Sequence, residues 1–175
     1  MFRSLAVASA LAVFAVVPAL PVLAAPGHGA KEFGQAAPAA QAKRTVTITM
    51  KDNEYEPKSV TVKAGEVVRF IVVNKGDLLH EFAVGRPQDH VEHQKMMAMM
   101  MDHGMITPTA IDHQKMKMDH GGQMHQHGPE SGSVLVEPGK RAELTWKFPQ
   151  AMTLQFACTI PGHYEAGMVG SFDYK

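Results

Sequence analysis

The chain has 175 residues, 17 basic and 17 acidic side chains, and a single cysteine. A length of this order fits one domain. The balanced charge excludes a polybasic nucleic-acid or membrane-surface binder, and one cysteine excludes an intrachain disulfide framework.

Met1-Phe-Arg3 carries one positive charge, and the run "LAVASALAVFAVVPALPVLAA" behind it is apolar and ends in small residues. This is the pattern of a secretory signal peptide, 1–24, with Val22 and Ala24 placed for cleavage after Ala24. Pro18 and Pro21 near its end argue against a retained membrane anchor. The expected compartment is a bacterial periplasm. In an oxidising compartment a lone cysteine is buried and inert, reactive, or occupied by a metal.

Residues 25–43, rich in Ala, Pro and Gly, read as a flexible leader. From Arg44 the pattern changes. "TVTITM" (45–50) and "SVTV" (59–62) alternate with period two, and "EVVRFIVVN" (66–74) is a longer apolar strand after a Lys63-Ala-Gly65 turn. "NKGD" is turn chemistry, and "HEFAV" (80–84) is the next strand. "SVLVE" (133–137), "RAELTWKF" (141–148), "MTLQFAC" (152–158) and "MVGSFDY" (168–174) complete the series. Short alternating strands punctuated by Gly, Pro and Asn predict an all-β antiparallel sandwich or barrel over 44–175.

Residues 85–132 interrupt it. A 48-residue connection is far longer than the roughly 15 residues that ordinary loops reach. It holds nine of the 13 methionines and seven of the ten histidines. "HQKMMAMMMDHG" (93–104) resembles "HQKMKMDHGG" (113–122), and two short helical or irregular pieces are expected there. Met96, Met97, Met100 and Met101 could form a packing stripe on a helix. The scarcity of Leu, Ile, Val and Phe nearby points instead to metal binding. Thioethers take Cu(I) without deprotonation, and imidazoles add affinity for Cu(II).

"CTIPGHYEAGM" (158–168) places Cys158, His163 and Met168 on one strand–loop–strand corner. Thiolate, imidazole and thioether suit copper, and two histidines with a cysteine and a weak axial methionine make the blue-copper donor set. His80, the other histidine of the β-rich frame, is the candidate second imidazole. Taken singly, Met168 is as well explained by core packing and His80 by a surface hydrogen bond.

The C-terminal motif resembles the copper loop of cupredoxins. Its "C-T-x-P-G-H" half is similar to the azurin and auracyanin branch, and its "H-x-x-A-G-M" half to plastocyanin. "YEPKSVTVKAGEVVRFIVVNKGDLLHEF" (55–82) resembles the family's first half. The resemblance covers 44–84 and 133–175 and implies a Greek-key β-sandwich with one type 1 copper on His80, Cys158, His163 and Met168. There are two departures. Glu81 follows the first histidine where many small blue-copper proteins have Asn or Asp, and the insertion has no counterpart in ordinary electron-transfer cupredoxins. A Met/His-rich tract beside such a domain resembles the periplasmic copper-tolerance cupredoxins. That implies copper handling, with further exposed, exchangeable copper in 90–127 and a redox or copper-transfer protein of the cell envelope as partner. A diffusible electron carrier for a cytochrome or oxidase is the alternative. The sequence lacks the His-Cys-His element of multicopper enzymes, since Ala157 and Thr159 flank Cys158, and no enzymatic activity is expected.

Overall fold

The computed structural model describes residues 32–117 and 129–175. Within them the chain forms strands β1 (Gln35–Ala36), β2 (Arg44–Lys51), β3 (Glu54–Glu56), β4 (Ser59–Val62), β5 (Val67–Asn74) and β6 (His80–Gly85). Helix α1 (Pro87–Asp102) follows, then β7 (Ser133–Val136), β8 (Arg141–Lys147), β9 (Leu154–Ala157) and β10 (Val169–Tyr174). Two five-stranded sheets face each other, ordered β1-β8-β5-β2-β3 and β4-β10-β9-β6-β7. The chain crosses between them repeatedly, so strands adjacent in space are often distant in sequence.

The period-two pattern decides which side chains enter the core. In β5 the residues Val68, Phe70, Val72 and Asn74 are buried, while their neighbours are half-buried. An aromatic cluster fills the space between the sheets. Phe148 and Phe172 meet at 4.8 Å between ring centroids, Tyr55 and Phe156 at 5.1 Å, and Phe70 and Phe82 at 5.2 Å. Each buried ring contributes about 1.5–3 kcal/mol through the water it excludes. The aromatics therefore hold the two sheets together beneath the ends of β6 and β9, which carry His80 and lead into Cys158.

All eight strands expected from the sequence are present. The purely antiparallel arrangement is not. β2 pairs parallel with β5, and β4 pairs parallel with β10. β3 and β4 intervene between β2 and β5, and the chain returns to the first sheet in its original direction.

The leader also differs from expectation where it is described. Phe33 is buried and stacks on Trp146 at 6.0 Å, and Gln35 and Ala36 pair with Lys147 and Trp146. The indole N–H of Trp146 donates to the Phe33 carbonyl at 3.3 Å. A large aromatic edge recruits this segment, and no periodic pattern announces it. Residues 1–31, with the expected signal and cleavage site, lie outside the described residues.

The insertion opens with a 16-residue helix that takes in the first expected piece, and a short 3-10 turn, Lys115–Lys117, lies in the second, whose residues 118–122 lie outside the described residues. Pro87 stands at its first turn, where the missing N–H costs nothing. The Asp89 carboxylate accepts the Arg86 backbone N–H at 2.8 Å and favours the positive end of the helix dipole. Gln, Glu, Lys, Ala and Met are good helix formers. Met97 and Met100 are fully buried, as is Met105 beyond the helix, and Met96 and Met101 pack against the same core. Those three buried thioethers are packing residues, not the exposed, exchangeable sites expected of them. Met118, Met124, His120, His125 and His127 lie outside the described residues.

Candidate metal centre

The turn 74–79 delivers His80. Asn74 is buried and its amide donates to the carbonyls of Leu78 and Val136, both at 2.8 Å, while its oxygen accepts the Gly76 N–H at 2.9 Å. One side chain thus closes the turn and ties it to β7. Gly76 is required by space. A Cβ there would lie 2.3 Å from Asp52 Oδ1 and 3.0 Å from His80 Nε2.

Cys158 directly follows β9, and its backbone N–H donates to the Met168 carbonyl at 3.1 Å. The Met168 N–H donates to the His163 carbonyl at 3.0 Å, and the His163 N–H to the Ile160 carbonyl at 3.0 Å. These bonds fold 158–168 into a tight loop and bring its three candidate ligands back to one place.

The donor atoms of His80, Cys158 and His163 all lie within 4.8 Å of one another. Both histidines turn Nδ1 to the sulfur, which lies 3.3 Å from His163 Nδ1 and 4.0 Å from His80 Nδ1. Cys158, His80 and Met168 are fully buried, and His163 is half-buried at the surface. The Met168 side chain is buried within this loop, whose backbone bonds join it to Cys158 and His163.

Electrostatics prepare this set for a cation. Burial pushes the Cys158 thiol up to about 12, and the nearby Glu81 carboxylate adds to the shift. Two backbone N–H bonds oppose it, including that of Glu81, which donates to Sγ at 3.3 Å. The thiol therefore keeps its proton until a metal displaces it. Burial lowers the pKa of both His80 and His163, with the His80 neighbour adding to the shift at His163. Both rings are neutral at pH 7 and able to donate a lone pair. A buried thiol facing two neutral imidazoles fits a soft-to-borderline cation such as copper.

Asp52, which the sequence did not mark, and His93, which it marked only among the insertion's histidines, complete the setting. Asp52 Oδ1 accepts from His80 Nε2 at 2.9 Å and from the Asp77 N–H at 3.1 Å. Burial alone pushes the Asp52 carboxyl up, but these bonds outweigh it and hold it below the usual carboxylate range. Nδ1 of His80 is thereby left as the lone-pair nitrogen. His93, on α1, bonds the buried Glu81 carboxylate. Glu81 itself answers the departure noted in the sequence, because the hydrogen bond to sulfur comes from its backbone and does not depend on its side chain.

A model of the cupredoxin-like domain matches residues 13–101. The chain is 48% identical over 179 aligned positions to the copper-resistant cuproprotein CopI of Pseudomonas aeruginosa, covering 97% of each. The chain belongs to the cupredoxin family. A CopI of Vibrio cholerae is 35% identical, with 83% of this chain and 74% of that one aligned. Among solved structures, auracyanin B superposes with a TM-score of 0.59 at 19% identity, covering 84% of this chain and 99% of that one. A dithionite-reduced auracyanin of Roseiflexus castenholzii gives 0.52 at 19%, covering 77% and 98%. These likenesses show that the cupredoxin sandwich is the same.

Proposed function

We propose that the chain is a periplasmic copper-binding cupredoxin acting in copper tolerance, with one type 1 copper held by His80, Cys158, His163 and Met168. The observation that carries this is the buried Cys158 thiol facing Nδ1 of both His80 and His163. The names of its relatives, which state copper resistance, support the purpose. Copper bound there would supply one-electron exchange between Cu(II) and Cu(I). The chain's own residues do the rest. Asp52 orients His80, the Glu81 N–H supports the thiolate, and the fold around Met168 keeps water from that side. His163 is the half-exposed ring and the side from which ions or electrons arrive.

Additional copper belongs to the outer part of the insertion. His103 and His113 are exposed, and Met99 and Met116 are half-buried. His103, His113 and Met99 offer imidazole and thioether groups outside the core cluster, while Met116 packs against it. Among the described residues no helix is long and apolar enough to cross a membrane. Expected partners are copper ions and a redox or copper-transfer protein of the cell envelope. The role is binding and buffering rather than enzymatic turnover. A diffusible electron carrier is the second reading, and the burial of Met97, Met100 and Met105 favours it by removing three thioethers from the loop's supply.

The discriminating experiment replaces His103, His113 and Met99 together and leaves the core-packed methionines intact. Lower copper stoichiometry and lower tolerance in cells support copper handling. Unchanged stoichiometry and tolerance contradict it.

A further inference from the structure

Every residue of β6 is buried, although strands of such a sandwich usually turn one face to water. The inward face packs Phe82 against Tyr55, Phe70 and Phe156. The other face, with Glu81, Ala83 and Gly85, lies beneath α1. A Cβ on Gly85 would come within 3.2 Å of His90. The insertion is thus a third layer on the sheet that carries two candidate ligands.

Glu81 sits at the centre of that layer, completely buried. A carboxylate so placed needs donors on all sides. His93 Nε2 donates to Oε1 at 2.6 Å, and the Ser133 hydroxyl donates to the same oxygen. The Thr159 hydroxyl and N–H donate to Oε2 at 2.6 and 3.2 Å. Thr159 is the residue directly after Cys158, and the Glu81 N–H points at the cysteine sulfur. One residue therefore grips the thiol through its amide, the chain beyond the thiol through its carboxylate, and the inserted helix through His93. The helix touches the ligand loop again where Gln94 donates to Glu165 at 2.5 Å and where His90 faces Tyr164 at 6.0 Å.

We propose that α1 is a working part of the copper centre, with His93 a positioning residue that acts on Cys158 through Glu81 and Thr159. This rests on the copper-binding reading above. With His93 absent, the Oε1 side of Glu81 loses a donor on the helix side, the carboxylate shifts, and the Thr159 backbone moves with it. The sulfur then changes its distance and angle to whatever it binds. Excision of the whole insertion consequently removes part of the copper site as well as the outer loop.

The test compares wild type, His93→Leu, His93→Gln and Thr159→Val, each titrated with Cu(II). The readouts are visible absorption, the electron paramagnetic resonance hyperfine splitting, the copper Kd and the reduction potential, together with thermal unfolding of the metal-free protein. His93→Leu is expected to shift the thiolate band and hyperfine splitting and to weaken copper about 10–100-fold, the range for residues that orient metal ligands. His93→Gln, whose amide N–H still reaches the carboxylate, restores the wild-type spectrum. Thr159→Val removes one link at nearly constant volume and shifts the spectrum even if His93→Leu fails to fold. A wild-type band with both His93→Leu and Thr159→Val spectrally unchanged overturns this proposal alone, even if unfolding temperatures fall. A wild type with no band overturns the copper reading beneath it.

Discussion

Asp52 Oδ1 lies 2.9 Å from His80 Nε2, and it links a turn of one sheet to the first candidate ligand of the other. The carboxylate fixes which nitrogen of His80 carries the proton and which faces Cys158. Asp52→Ala is expected to weaken copper binding about 10–100-fold while the protein stays folded. Isothermal or competition titration against a chelator of known affinity checks this. An Asp52→Ala protein with wild-type affinity would show that Nδ1 needs no such support.

Gly76 has no room for a side chain between Asp52 and His80. Gly76→Ala must displace one of them, at a cost of about 1–3 kcal/mol in stability. Copper affinity should fall together with it, because the displaced group belongs to the site. Denaturant unfolding of the metal-free protein, paired with a copper titration, measures both. An unchanged midpoint and affinity would contradict the packing described here.

The metal-free protein should lose stability as the pH falls through about 6.5, the ordinary histidine value. Burial lowers the pKa of His80, His90 and His163 in the folded state. Below 6.5 the unfolded chain binds protons that the folded chain refuses, so acid favours unfolding. The contribution is fully present above 6.5 and is lost as the pH drops towards the folded-state values. Unfolding temperatures between pH 8 and 5 provide the check. A flat profile across that window would mean that the three rings titrate freely in the fold.

Much of this was legible in local sequence. The eight strands follow from period-two alternation and turn residues. Cys158, His163 and Met168 follow from their spacing within one loop, which the backbone bonds of 158–168 then close. The unread parts depend on distant contacts. Asp52 reaches His80 across 28 positions, and Phe33 reaches Trp146 across 113. Neither pairing leaves a periodic trace. The methionines of α1 carry a different lesson. Their number suggested exposed metal ligands, yet Met97 and Met100 fill the gap between the helix and the sheet. Methionine's flexible, polarisable side chain suits it to either task, and only the packing distinguishes them.

The copper centre itself is tested most directly by adding Cu(II) to the purified protein and recording visible absorption. The expected result is a strong thiolate-to-Cu(II) charge-transfer band that saturates at one equivalent and is abolished by Cys158→Ser in a protein that remains folded. Absence of the band at one equivalent, or its persistence in Cys158→Ser, would contradict it.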